Sequence, residues 1–172
     1  GGGRVVIPPG VWLTGPINLQ NNIDLHVEQG ALVVFSSNID DFPLVQRPKS
    51  SSFSRSPLIY GVGLKNVAIT GKGVFNGNGQ YWRPVKKEKL PASQWKKLVD
   101  SGGALTSDGK MWLPSKEAVD APLMLQQRRK EKKSLESSDY AAAREFLRPD
   151  LLVLLDCEKI LIDGPSFVNS PK

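Results

Sequence analysis

The chain has 172 residues, enough for one folded unit with a real core but short for a complete enzyme with a deep cleft. Its 16 glycines and 13 prolines suit a turn-rich β fold and are too few for a collagen-like or disordered chain, and no long apolar run exists that could span a bilayer. The net charge of +6 is confined to residues 80–149, where 15 Lys and Arg face 9 Asp and Glu; the remainder balances 8 against 8, so a neutral scaffold carries one basic segment.

In chain order, Asn21 to Phe35 (NNIDLHVEQGALVVF) alternates apolar and polar residues with a strand period, which sets Leu25 and Val27 on one side and His26 on the other. Residues 43–57, with Pro43, Pro48, Pro57 and many serines, are expected to form a loop. Strand character returns at Leu58–Tyr60 and runs through LKNVAITGKGVFN (Leu64 to Asn76), with Val67, Ile69 and Val74 expected to point inward. Gly61, Gly63, Gly71, Gly73, Gly77 and Gly79 mark the bends. Asn78-Gly79 is the one candidate for a two-residue hairpin turn, and no strand-like run follows it.

The basic segment differs in character. Ser93 is placed to cap a short helix with Trp95, Leu98 and Val99 on one face, stopped by Gly102 and Gly103. A second helix is expected from near Ser138 through Tyr140, Phe146 and Leu147 to Arg148-Pro149. Between them QQRRKEKKSLESS is polar and exposed, and the thin apolar stripe of Pro122 to Leu135 leaves its helicity undecided.

Beyond this segment the earlier pattern returns. A shift of 93 positions sets Leu58, Ile59 and Tyr60 over Leu151, Leu152 and Val153, and LKNVAITGKGVFN over CEKILIDGPSFVN (Cys157 to Asn169), matching Val67 with Ile160 and Ile69 with Ile162. Taking away the 70 residues of the basic segment leaves a period of 23, within the range of solenoid repeats. Stacked turns of a parallel β-helix bury one apolar column and pair each strand with the next turn, which accounts for the copying. An antiparallel sandwich or barrel is the alternative, but it needs no strand pair copied at a fixed shift. The chain is therefore expected to be all-β: a right-handed, single-stranded parallel β-helix, an incomplete solenoid with one α-helical insertion. It divides into β-helix turns over residues 1–79, a basic helical insertion over 80–149, and the next turn over 150–172.

Longer stretches resemble one family. GGGRVVIPPGVWLTGPINLQNNIDLHVEQGALVVFS is similar to the N-terminal turns of glycoside hydrolase family 28, the polygalacturonases, most of all the bacterial members with inserted segments. GKGVFNGNGQYW (Gly71 to Trp82) resembles that family's IDGDGxxWW turn, and RPDLLVLLDCEKILIDGPSFVNSP (Arg148 to Pro171) resembles its RPxxxxxxxCxNVxIxGxxxxNSPxW stretch. The resemblance implies a β-helix whose cleft cleaves pectic polysaccharide with inversion, one carboxylic acid protonating the leaving oxygen and another activating water. In that family the acids sit in an Asn-Thr-Asp triplet and an Asp-Asp pair, supported by Gly-His-Gly and Arg-Ile-Lys motifs, all after the Asn-Ser-Pro turn. Here that turn is Asn169-Ser170-Pro171, and none of those supporting motifs nor the triplet follows it or occurs elsewhere, so no catalytic residue is assigned and the fragment alone is expected to be inactive. Asp40-Asp41, in SSNIDDFPL, is a solvated turn rather than the catalytic pair, and His26 matches no catalytic histidine position.

Substrate contacts are expected from the basic insertion. A uronate carboxylate can pair with Arg83, Lys86, Lys87, Arg128, Arg129 or Lys130, although a charge run can equally be a wet face. Tyr81 and Trp82 can stack on a sugar ring, or Trp82 can fill a gap. Arg148 is better placed to tie the insertion's exit by hydrogen bonds, and Asn76 and Asn169 suggest an asparagine ladder. A lone thiol, Cys157, excludes an internal disulfide and suits a small core residue, and one histidine without a cysteine pair excludes zinc spacing. No cofactor or metal is called for. The expected partner is an acidic, uronate-containing saccharide, with no nucleic acid and no membrane; oligomeric state is not legible. The chain begins at Gly1 rather than Met, pointing to an upstream stretch, and the resemblance implies a periplasmic or extracellular location. A non-catalytic β-helix serving as a carbohydrate-binding or adhesin module is the competing class, and RRKEKK as a nucleic-acid patch a third, lacking aromatic interleaving.

Overall fold

The structure, a computed structural model, describes residues 1–131 and 134–172; Lys132 and Lys133 of the RRKEKK run lie outside the described residues. Two compact units are present, one of Gly1–Pro43, Ser56–Trp82 and Pro149–Lys172, the other of Leu44–Arg55 and Arg83–Arg148.

The first unit is a parallel β-helix of stacked coils. The first coil is β1 (Gly3–Ile7), β2 (Gly10–Thr14) and β3 (Ile17–Asn18); the second begins with β4 (Ile23–Val27) and β5 (Ala31–Phe35). After β5 the chain makes the antiparallel hairpin β6 (Leu44–Gln46) and β7 (Phe53–Arg55), which belongs to the second unit, and then closes the coil with β8 (Ile59–Val62). The third coil holds β9 (Lys65–Gly71) and β10 (Val74–Asn76). A long excursion follows, with β11 (Val85–Lys86), α1 (Ala92–Asp100), β12 (Ala104–Leu105), β13 (Met111–Leu113), α2 (Lys116–Glu131) and α3 (Ser137–Ala142). Strand β14 (Leu152–Leu155) completes the third coil, and β15 (Glu158–Asp163) and β16 (Ser166–Val168) start a fourth. Both excursions leave between the second and third strands of a coil; the first coil crosses the same bend with only Gly15 and Pro16.

Three parallel sheets result, ordered β1-β4-β9-β15, β2-β5-β10-β16 and β3-β8-β14. Val67 pairs with Ile160, Ile69 with Ile162, and Ile59 with Leu152, so the 93-residue copy in the sequence is the hydrogen-bond register of adjacent coils. Where no excursion intervenes the shift is 20 residues, as in Gly3 opposite Ile23. Alternation along each strand sends one set of side chains inward, so that Leu25, Val27, Val33, Phe35, Ile59, Val67, Ile69 and Phe75 form the buried column. Val74 departs from expectation. It faces outward and Phe75 takes the inward place, because the bend at Gly71–Gly73 resets the alternation between β9 and β10. The rings of Phe35, Phe75 and Phe167 stack through three coils, with centroids 6.5 and 5.2 Å apart. Gly71 (φ 98°) and Gly164 (φ 94°) occupy one bend of successive coils, where a β-carbon would run into the carbonyl of Val27 or of Gly71 below it.

The second unit has its own core of Ala121, Leu125, Leu135, Tyr140 and Ala143, packed with Leu44, Phe53, Met124, Phe146 and Leu147. Residues 43–57 are thus not simply a loop, since β6 and β7 contribute Leu44 and Phe53, and Arg55 is buried with its guanidinium donating to the Arg144 carbonyl at 2.7 and 3.1 Å. Helix α1 begins at Ala92, one residue ahead of the expected Ser93 cap, with the Pro91 carbonyl accepting from the Trp95 amide. The undecided stretch is helical: α2 continues through Pro122, held by the burial of Ala118, Ala121 and Leu125 despite the lost amide donor. Helix α3 is shorter than expected, starting at a Glu136–Asp139 capping box and giving way to turns after Ala142. The meander β11-β13-β12 has no counterpart among the sequence expectations. Its hairpin turn contains Asp108-Gly109, with Gly109 at φ 65°, so Asn78-Gly79 is not the one turn signal of this kind.

Candidate functional site

On the outward side of the β1-β4-β9-β15 sheet, Arg4 lies opposite Asp24, and His26 opposite Thr70. The Arg4 guanidinium donates to Asp24 Oδ2 at 2.7 Å, the Thr70 hydroxyl donates to Asp24 Oδ1 at 2.7 Å, and His26 Nδ1 lies 2.7 Å from that hydroxyl oxygen. A carboxylate only accepts, so the one proton of Thr70 is committed to Asp24 and His26 Nδ1 must donate, which makes Nε2 the acceptor whenever the ring is neutral. Desolvation would raise the Asp24 carboxyl, but hydrogen bonds from Thr70 and Arg4, with the charges of Arg4 and His26, outweigh it and hold the group below the usual carboxylate range. His26, Glu28, Gln29, Gly71 and Lys72 line a shallow depression of about 480 Å³ beside this network.

The residues singled out for substrate contact are divided between the two units. Tyr81 is 63% exposed, whereas Trp82 is buried, its ring set edge-on to Phe42 at 5.3 Å and its Nε1 without a hydrogen-bond partner among the described residues. Trp82 therefore fills the core of the first unit, one of the two roles open to it from sequence. Arg83 is exposed in the second unit. Arg128 and Lys130 both lie on α2, but Arg128 reaches Asp139 Oδ1 at 2.6 Å, and that carboxylate is fully buried and also accepts from the Glu136 amide at 2.9 Å. Lys130 and Arg129 are exposed near the helix end.

The antiparallel pairing of β11 with β13 sets Lys86 opposite Met111 and brings Lys87 beside Lys110, whose carbonyl accepts from the Lys87 amide at 2.9 Å. Lys86, Lys87, Glu88, Asp108, Lys110 and Met111 line a depression of about 530 Å³. Asp108 accepts from the Thr106 hydroxyl at 2.6 Å and the Lys110 amide at 3.1 Å, and these bonds keep its carboxyl below the ordinary range. Lys110 is missed from sequence because it stands outside the RRKEKK run; the Asp108-Gly109 turn beside it is the signal that could have found it.

The remaining candidates have structural surroundings. Asp40 and Asp41 form a turn capped by Asn38, whose Oδ1 accepts from the Asp40 amide and whose amide group donates to Asp41. Asn169 donates to Asn76 across coils at 3.2 Å, and Asn66 to Asn22 at 2.9 Å, so asparagine ladders line two bends. Cys157 is only partly buried, its sulfur 3.2 Å from the Leu155 carbonyl. Among the described residues no group of three His, Cys, Asp or Glu is placed to hold a metal ion, and no helix is long and apolar enough to cross a membrane.

Parallel strands stacked coil on coil, with glycine and asparagine at matching bends, define the first unit as a parallel β-helix of the kind the sequence motifs pointed to. No family model matches the sequence. The chain is 31% identical over 90 residues to a probable polygalacturonase of Vitis vinifera, covering 48% of this chain and 18% of that one. It is 28% identical over 119 residues to an exo-poly-alpha-D-galacturonosidase of Dickeya chrysanthemi, covering 63% and 20% respectively. The crystal structure of a hyperthermoactive exopolygalacturonase from Thermotoga maritima superposes with a TM-score of 0.65 at 29% identity, over 99% of this chain and 35% of that one. The chain is thus similar to polygalacturonases in sequence and in fold, and it spans about a fifth of the length of the curated relatives it matches.

Proposed function

We propose that these coils are the N-terminal part of a family 28 glycoside hydrolase that cleaves glycosidic bonds in pectic, uronate-containing polysaccharide by an inverting mechanism. The observation that supports this best is the 29% identity to the Thermotoga maritima exopolygalacturonase across 99% of the chain, carried on the same coiled scaffold. Inversion needs a protonated carboxyl over the leaving oxygen and a carboxylate that activates water from the opposite face, roughly 6.5–9.5 Å apart. Neither carboxyl is assigned to a residue of this chain; they belong to coils outside it. What these residues contribute is the scaffold and, through Tyr81, Arg83 and Lys130, exposed groups able to meet a uronate chain. The site of action proposed is periplasmic or extracellular, where such a polymer is met.

The test is release of reducing ends from polygalacturonate. The complete reading frame that encodes this chain should release them, and residues 1–172 alone should not. Turnover by the 172-residue chain would overturn the placement of the carboxyls. A complete reading frame that binds polygalacturonate without cutting it would replace the hydrolase with a carbohydrate-binding β-helix.

A further inference from the structure

Cations in the second unit differ in how far they are already engaged. Arg128 is bound to buried Asp139, Lys96 lies 4.0 Å from Asp100, and Lys116 pairs with Asp120. Lys87 and Lys110 are different: side by side through the Lys87 amide and Lys110 carbonyl, neither ammonium has a carboxylate within ion-pair distance among the described residues. They open on the depression of about 530 Å³ whose other walls are Lys86, Glu88, Asp108 and Met111.

The walls are pre-set. The turn carrying Asp108 and Lys110 is fixed by Thr106, whose hydroxyl donates to Asp108 and accepts from the Met111 amide at 3.1 Å, while Asp108 also accepts from the Lys110 amide. Glu88 is held only loosely, 3.9 Å from Lys86. The result is a mixed set of groups: the ammoniums of Lys87 and Lys110, neither in an ion pair among the described residues although the charge of Lys110 helps to hold the Asp108 carboxyl down, the ammonium of Lys86 beside Glu88, two carboxylates, and the thioether stem of Met111. Nucleic acid or polyphosphate can pair with the ammoniums, but its phosphates bring no hydroxyl donors for the two carboxylates and set their own dense charge against them. A neutral sugar leaves the ammoniums unmatched. A uronate ring offers a complement to this set: a carboxylate for Lys87 and Lys110, hydroxyls that can donate to Asp108 and Glu88, and a C–H face for Met111.

We infer that the depression between β11 and the β12–β13 hairpin is a subsite for an acidic saccharide, recognising a uronate through Lys87 and Lys110 and its hydroxyls through Asp108 and Glu88; this rests on the pectic reading above. The probe is α-1,4-linked trigalacturonate, titrated calorimetrically into residues 1–172 at low and at high salt. Binding should weaken steeply with salt. The double substitution Lys87→Ala with Lys110→Ala should lower affinity about tenfold and flatten the salt dependence, while Lys96→Ala on the same unit leaves both unchanged. The fully methyl-esterified trimer, which needs no variant, should bind the wild-type chain about tenfold more weakly than the acid. No binding to the wild-type chain, equal affinity for the ester, or wild-type affinity in the double variant would each overturn the inference, as would displacement of the trimer by equimolar tripolyphosphate. Hydrolysis by the complete reading frame together with an unaltered double variant would remove this subsite and leave the proposed activity standing. Failure of hydrolysis with charge-dependent trimer binding would do the reverse.

Discussion

Phe75 offers the sharpest test of the coil stack. Its ring is fully buried, lies 5.2 Å from Phe167 at an interplanar angle of 10°, and faces Phe35 at 6.5 Å on the other side. Truncating a buried phenylalanine to alanine removes its transfer free energy and leaves a cavity, together about 3–5 kcal/mol, and the two ring contacts place this site toward the upper end. Phe167 is only partly buried and has one stacked neighbour, so Phe167→Ala should cost about half as much. With a urea dependence of about 2 kcal/mol per molar, Phe75→Ala should lower the midpoint by about 2 M and Phe167→Ala by about 1 M. Urea titration followed by near-ultraviolet circular dichroism reads both. A loss below about 1 kcal/mol for Phe75→Ala, or a larger loss for Phe167→Ala, would mean that the rings do not form a continuous column.

Two further outcomes follow from polar contacts. Asp139→Ala strands the Arg128 guanidinium and the Glu136 amide, and because Arg128 is 43% exposed the destabilisation should be about 2–3 kcal/mol; since α1, α2 and α3 all lie in the second unit, thermal loss of the helical signal in far-ultraviolet circular dichroism should come earlier, and an unchanged melt would refute the contact. Asp24 has a carboxyl lowered on folding below its ordinary value of 3.8, so its ionised form stabilises the coil above that value and the contribution disappears as pH falls through the folded pKa. Asp24→Asn should therefore be about 1 kcal/mol less stable than wild type near neutrality and indistinguishable from it in strong acid, checked by urea midpoints across pH; a gap that persists in acid would refute the assignment.

The coil register is legible because a parallel β-helix writes its hydrogen bonding into the chain as copying: Val67 and Ile160 share a place in the sequence pattern and in the sheet. Inward and outward faces are legible along β4 and β9, where alternation is unbroken, but not across the bend, where Gly71–Gly73 moves the inward place from Val74 to Phe75. The second unit is mostly illegible. Its strands are two or three residues long, too short for a period, and their placement comes from tertiary contact such as Leu44 and Phe53 against Tyr140 and Leu147. Pro122 masks α2, since local chemistry argues against a helix that core packing maintains. The cations are visible as composition, but their engagement is not. Nothing in RRKEKK tells that Arg128 is committed to Asp139, or that Lys110, which belongs to no motif, stands beside Lys87.

Both excursions depart from the bend that the first coil crosses with Gly15 and Pro16 alone, and the strand register on either side is unchanged by their length. Lengthening a connection there adds only loop-closure entropy, about 0.6 kcal/mol for each doubling. That bend is in effect a grafting port. Whole modules can be inserted, trimmed or exchanged at it while the hydrogen-bonded stack keeps its alignment, so the accessory unit can diversify at a pace the coiled scaffold does not share.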